Sequence, residues 1–367
     1  VVAAAVAATY VVRLWDPDPW WHLATGRWIV EHHAIPRVDP FSFTVAGAPW
    51  RAVDWLADLV MYGSFAVAGN AGVGALTALC AWAMLVLLGL ALRELELSGA
   101  TVLSMILCVG VLVQGRYSMA RPMMLGAAAL CATLFACTRS WQRGATTPDR
   151  SVLWVAPLVV VWSALHPTAI LGFVVLALFA LAALVTRHRA APWFVAATGL
   201  AVALAALVPS ARALVAVALA HDRATLALAL TGEWARTHLG DRELWLPALA
   251  TLASFAVVIA GRDRRRALPF LGCAALGAVL ASRYARNLYE AILLAAPLVA
   301  LGVERAHAWV ARRQRRIAPL VIVLAVGLIA PAVHLRLAPG AFNPRFGVGP
   351  ADGAVPVETL AVFRSLP

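Results

Sequence analysis

An all-α, polytopic membrane helix bundle is the fold class this sequence predicts. Of 367 residues, 62% are hydrophobic and only 13% are charged. The mean hydropathy is +0.83. The apolar residues form a train of runs separated by short loops that carry Arg and Trp. A soluble chain of this length holds roughly a quarter of its residues as charges and about half as apolar types. The surplus apolar surface therefore calls for lipid as its solvent.

The apolar runs lie at about 1–12, 71–92, 100–115, 122–138, 152–165, 169–186, 193–209, 244–260, 267–282, 288–303 and 318–335. A spanning helix needs roughly 17 to 25 residues, so the shorter runs draw on Trp, Tyr and Arg flanks as interfacial anchors. About eleven spans are expected. The segment 55–69, WLADLVMYGSFAVAG, fits either a further span or a helix lying in the interface.

Orientation follows from Arg, which supplies all 30 basic residues. The loops after even-numbered spans hold 15 Arg against five acids (Glu94, Glu96, Asp149, Asp263 and Glu304), whereas the opposite side sets 15 Arg against 13 acids. The Arg-rich, acid-poor side is cytoplasmic by the positive-inside rule. Residues 13–54, 116–121, 210–243, 283–287 and the tail from 336 then face outward. This asymmetry accounts for most of the +12 net charge without a nucleic-acid partner. The five cysteines sit inside apolar runs and form no CxxC. That excludes a zinc site or a disulfide framework and leaves them as small core hydrophobes. The organisation expected is a transmembrane domain over 1–335 and, over 336–367, the start of an outer C-terminal region, the chain being a trimmed piece of a longer protein.

Polar chemistry concentrates in the first outer loop. LWDPDPWWHLATGRWIVEHHAIPRVDPFSFT, residues 14–44, holds four Trp, three His and three Asp. In Asp16-Pro17-Asp18-Pro19, Asp before Pro is a helix-start signal. One Asp is therefore expected to cap a helix over about 18–33. Trp20, Trp21 and Trp28 suit that helix to the outer membrane interface. Asp18 and His22 are four apart and share a face. A carboxylate backed by an imidazole can act as general base or hold a divalent metal such as Mg or Mn. The plainer account is a capping Asp and an interfacial His, and these residues alone leave both open.

The segment DPDPWWHLATGRWIVEHHAIPRVDPFSFTVAGAPWRAVDWL resembles the first outer loop of bacterial multi-spanning proteins related to the glycosyltransferase C superfamily. That class includes protein O-mannosyltransferases, lipid A aminoarabinose transferases and oligosaccharyltransferase catalytic subunits. There an acidic residue or pair follows the first membrane helix, then an amphipathic segment ending near a Pro, then an aromatic-Leu pair. Here those places hold Asp16 and Asp18, Ile35-Pro36, and Trp55-Leu56. ARPMM at 120–124, WSALHP at 162–167, TGEW at 231–234 and SRYARNLY at 282–289 follow in the order of related segments. The group often shows Asn-Leu-His-Gly where this chain has Ala164-Leu165-His166-Pro167, so no role is carried over to residue 164.

The resemblance implies transfer of a sugar from a polyprenyl-phosphate donor to a glycan, lipid or protein acceptor at the outer face of a bacterial cytoplasmic membrane. Asp18 and Asp16 are the candidate catalytic residues. Arg suits a lipid phosphate, and Arg283 with Arg286, or Arg116 with Arg121, are the candidate cations, although Arg at a helix end also snorkels. His22, Asp39, His166, Glu233 and Trp234 complete the expected substrate-binding set. The phosphate site is expected between the first loop and the 283–287 turn. Rival classes are a lipid or glycan flippase or transporter, whose internal repeats and mid-span breaks are not evident here, and a non-catalytic membrane scaffold.

Overall fold

The computed structural model describes residues 1–146, 149–214, 237–238, 242–261, 264–313, 347–348 and 350, and the described residues are helical with turns and two isolated β-bridges. In chain order the α-helices are α1 (Val2–Ala8), α2 (Asp18–His32), α3 (Trp55–Glu94), α4 (Gly99–Tyr117), α5 (Met123–Arg143), α6 (Val155–Leu165, preceded by a 3-10 turn), α7 (Ala169–Val185), α8 (Ala191–Leu207), α9 (Arg242–Ala260), α10 (Arg264–Arg283) and α11 (Leu288–Arg313). Among the described residues, four stretches are long and apolar enough to cross a membrane: Trp55–Glu94, Gly99–Tyr117, Met123–Arg143 and Ala285–Arg312. Ser151–Leu165, Ala169–Val185, Ala191–Leu207 and Trp245–Ala260 are apolar but shorter. The predicted count of eleven is thus not reached among the described residues, and the run 318–335 lies outside them.

Two elements differ from expectation. The first run is helical only through Ala8. The chain then turns, with the Thr9 N–H on Val6 O and the Tyr10 N–H on Ala7 O, and Tyr10 is fully buried. The Tyr10 hydroxyl donates to Gly110 O at 2.5 Å, and Gln114 Nε2 donates to Thr9 O at 2.7 Å. These bonds pin residues 9–14 along α4 and deliver Asp16 to the end of the bundle.

The second difference is in α3, which breaks at Ala68 (φ −140°, ψ 21°) and Gly69 (φ 56°, ψ −141°). The Gly69 conformation is closed to residues bearing a Cβ. The turn is tight enough that a Cβ on Gly72 would lie 1.9 Å from Ser64 O. At 1.5 Å per residue, residues 55–67 extend about 20 Å, short of a roughly 30 Å hydrocarbon core. They form a short limb of their own, against which α2 packs.

The loops sort onto two ends. At one end Arg143 pairs with Glu94 at 3.0 Å, Arg266 with Glu96 at 3.7 Å, and the Ser98 hydroxyl donates to Glu304 at 2.8 Å. Trp141 Nε1 donates to Arg266 O at 3.0 Å, and the Trp141 ring stacks on His188 at 4.2 Å. These are loops that the Arg census groups together. The first loop, the 116–122 turn, Gly347 and Pro350 meet at the other end, where Leu14 bridges Pro350 and the Gly347 N–H reaches Val11 O. Between the ends lies one large apolar core containing Trp141, Trp162, Phe179, Phe194 and Phe270, all fully buried or nearly so.

Candidate active site at the first-loop end

The loop after the first helix is anchored by one side chain from across the bundle. Arg121 grips both oxygens of Asp16, through Nε to Oδ2 and through Nη2 to Oδ1 at 2.7 Å, and its Nη1 lies 3.1 Å from Asp18 Oδ2. A bidentate guanidinium–carboxylate pair fixes direction as well as distance. Asp16 is 3% exposed, while the Asp18 side chain is 49% exposed. Arg121 is presented by a turn in which the buried Ala120 adopts φ 53°, a left-handed conformation costly for a residue with a Cβ. The expected Asp cap is not formed, because the helix starts one residue after Pro17, with Asp18 as its first residue. Pro17 occupies the N-cap without a side-chain bond, and Asp16 Oδ1 accepts the Asp18 N–H at 3.3 Å. Asp16 is the locked, cap-like residue and Asp18 the accessible one.

Helix α2 carries His22 inward by a local feature four residues on. Gly26 faces α3 so closely that a Cβ there would lie 2.1 Å from Asp58 O and 2.6 Å from Tyr62 Cβ. The resulting contact brings His22 Nδ1 to 2.7 Å from Asp58 Oδ1, with Asp58 4% exposed. Burial opposes charge on His22, but the bond and charge of Asp58, with Asp54 and Asp18 beyond, outweigh it and raise the imidazole pKa. Asp54, next to the start of α3, has an Oδ1 sealed from solvent with no hydrogen-bond partner among the described residues. Burial pushes its carboxyl up to about 7, against the pull of His22 and with the push of Asp58.

His166 closes the cluster from the α6–α7 turn. Its Nδ1 accepts the Thr168 N–H at 3.2 Å and lies 2.8 Å from the Thr168 hydroxyl, so the neutral ring carries its proton on Nε2. Removal from solvent, then the charges of Arg286, Arg116 and His22, push its pKa down to about 3. Gly126 of α5 permits this position, because a Cβ there would meet the Thr168 hydroxyl at 2.7 Å. Arg116 is 5% exposed, and both it and Arg286 act on the buried Glu290, which accepts the Tyr117 hydroxyl at 3.2 Å.

The predicted residues are thus split. Arg121 contacts Asp16 and Asp18, His22 is bonded to Asp58 and feels the charge of Asp18, and the charges of Arg116, Arg286 and His22 act on His166, so residues of the first loop, α2, α4, the α4–α5 and α6–α7 turns and the turn before α11 come within electrostatic range of one another. Arg283 is exposed at the end of α10, so the pair with Arg286 is divided. The pair Arg116 and Arg121 is divided as well, one facing Glu290 and the other the loop carboxylates. Asp39 is occupied by its own turn, accepting the Phe41 N–H at 2.8 Å, the Ser42 N–H at 3.0 Å and the Ser42 hydroxyl. The Ser42 hydroxyl first, then the two N–H groups, hold its carboxyl below the usual range. That turn packs Phe41 and Trp50 on Trp21 of α2, at 5.1 and 5.6 Å between ring centroids. Glu233 and Trp234 lie outside the described residues.

Among the described residues, no group of three His, Cys, Asp or Glu side chains is arranged to hold a metal ion. Asp18 turns to Arg121 and His22 to Asp58, so the pair considered for Mg or Mn is directed to two different partners. Asp54, Asp58, Tyr117 and Glu290 belong to the cluster although sequence reasoning did not single them out. A signal existed for two of them, since Asp58 and Glu290 are ionisable residues inside otherwise apolar stretches, where polar groups are costly unless they have work to do. Compared with known proteins, the chain matches no family model and no curated protein.

Proposed function

We propose that this chain is a membrane glycosyltransferase that moves a sugar from a polyprenyl-phosphate donor to an acceptor at the outer face of a bacterial cytoplasmic membrane. The observation that carries the reading is the grip of Arg121 on Asp16 and Asp18 at an end of an apolar bundle where the charges of Arg116, Arg286 and His22 also act on His166. A donor of this class keeps its tail in the bilayer and its phosphate at the interface, so cations and carboxylates must converge at that depth. The resemblance of residues 16–56 to the first outer loop of the glycosyltransferase C superfamily points the same way. So does the Arg distribution, which turns this end outward under an eleven-span topology.

In this reading Arg286 and Arg116 bind the donor phosphate, and the buried Glu290 offsets part of their charge. His166 donates from Nε2. Asp16 is a positioning residue, and Asp18 is the exposed carboxylate that helps to hold the acceptor. Asp18→Asn, reconstituted in lipid vesicles with a radiolabelled polyprenyl-phosphate hexose, is expected to lower transfer at least about tenfold while leaving the unfolding temperature within a few degrees, the scale of one lost charge-assisted hydrogen bond. Undiminished transfer by that variant would remove Asp18 from the chemistry.

A further inference from the structure

We propose that His22, oriented by Asp58, is the group that takes the proton of the acceptor hydroxyl. This rests on the glycosyl-transfer reading and names the residue that serves it. In the step, the acceptor oxygen bonds to the anomeric carbon of the sugar. The bond from that carbon to the phosphate oxygen breaks, with its electron pair leaving on the phosphate. The hydroxyl proton passes to His22 Nε2.

Geometry selects His22 over the carboxylates beside it. Both oxygens of Asp16 are engaged by Arg121, and Asp18 Oδ2 lies 3.1 Å from the same guanidinium. His22 differs in that its partner is behind it. The 2.7 Å bond from Nδ1 to the buried Asp58 fixes the ring and its tautomer, and leaves the Nε2 lone pair of the neutral ring turned away from Asp58. A base held by a buried carboxylate on its far nitrogen is the arrangement that serves proton abstraction in unrelated enzymes. An imidazole also titrates near neutral pH, where a proton acceptor is best matched to its task. The charged groups that act on the ring are Asp58 and Asp54 from α3 and its lead-in and Asp18 from the start of α2, while His166 of the α6–α7 turn, itself held neutral, feels the charge of His22.

The sign of the pH dependence follows. Below its pKa His22 carries the proton already and cannot accept another, so transfer rises as pH rises through that value. Asp58→Asn removes the charge that raises it and leaves at most a weaker, neutral hydrogen bond to the ring. The acid limb then moves to lower pH, by about one unit or more for the loss of a contacting opposite charge, and the plateau falls because the ring is less basic and less fixed.

Two measurements on the full chain in lipid nanodiscs test this. The first needs no substrate: 15N spectra of histidine-labelled protein, with His22→Gln assigning the signal, follow the titration of His22 in the wild type and in Asp58→Asn. A fall of the His22 midpoint in Asp58→Asn is expected, and an unmoved midpoint would overturn the dyad. The second is the pH profile of transfer from a radiolabelled polyprenyl-phosphate hexose. A loss of at least tenfold in kcat for His22→Gln, and the shifted limb in Asp58→Asn, are expected. Transfer by His22→Gln within threefold of wild type would overturn the role. So would an acid limb that stays in Asp58→Asn but disappears in Asp54→Asn, which would assign the base to Asp54. Absence of transfer by the wild type would overturn the glycosyl-transfer reading and this step with it, while the titration still reports whether the dyad exists.

Discussion

Arg121→Leu is expected to be among the most damaging single substitutions in this chain, at about 3–5 kcal/mol for a buried ion pair broken from one side. The cost arises less from the lost attraction than from Asp16, a carboxyl at 3% exposure that would be left buried without its counter-ion. The predicted reading is a large fall in unfolding temperature in detergent, with loss of monodisperse protein. Arg121→Lys should recover only part of it, because a single ammonium cannot reproduce the forked contact with both Asp16 oxygens while also reaching Asp18. The double variant Arg121→Leu with Asp16→Asn should be more stable than Arg121→Leu alone, because it removes the stranded charge. Additive losses would show that the pair is not coupled.

Gly26→Ala should cost about 1–3 kcal/mol as an overpacked contact, and its functional effect should exceed its effect on stability. The added Cβ would fall 2.1 Å from Asp58 O, a backbone atom with no rotamer to yield, so α2 must move away from α3. His22 lies one helical turn from Gly26, and its 2.7 Å bond to Asp58 depends on the same separation. Transfer is expected to fall at least about tenfold, on the logic that a displacement of about 1 Å at a catalytic group has that consequence or worse. Gly63→Ala is the matched control. A Cβ at Gly63 meets nothing within 4 Å, so that variant should be neutral or slightly stabilising, as Ala for Gly in an exposed helix generally is.

These two contacts also mark where sequence reading ended. The helices were legible because apolar runs bounded by Pro, Gly and Arg leave few alternatives. Helix α2 begins at Asp18 as its Asp-Pro repeat indicates, and α3 to α8 fall on predicted runs. Residues 9–12 depart from the predicted run because apolar content cannot separate a helical residue from an extended one held along α4 by the bonds of Tyr10 and Gln114. The limb 55–67 was ambiguous for a related reason. What separates it from the span is a backbone turn at Gly69, and composition does not encode the direction that a glycine permits.

Within the site, residue types were legible and pairings were not. Arg121 was grouped with Arg116 as a phosphate cation because they are five residues apart, but a turn with Ala120 in the left-handed region sends Arg121 to Asp16 and Asp18 instead. Arg283 and Arg286 seemed equivalent at three apart. The helix α10 ends between them, leaving the first exposed and bringing the second within reach of Glu290 and His166. Asp58 could be noticed in an apolar stretch, yet its bond to His22 depends on a crossing of α2 and α3 that only the packing around Gly26 determines.

The central claim is that this end of the bundle holds a lipid-linked sugar by its phosphate, and the most direct measurement is native mass spectrometry of the full chain extracted from its own membrane, compared with Arg286→Gln. The account predicts a polyprenyl-phosphate sugar bound to the wild-type protein and its loss from the variant. Ordinary phospholipid alone on both proteins, or the lipid-linked sugar retained undiminished on Arg286→Gln, would contradict it.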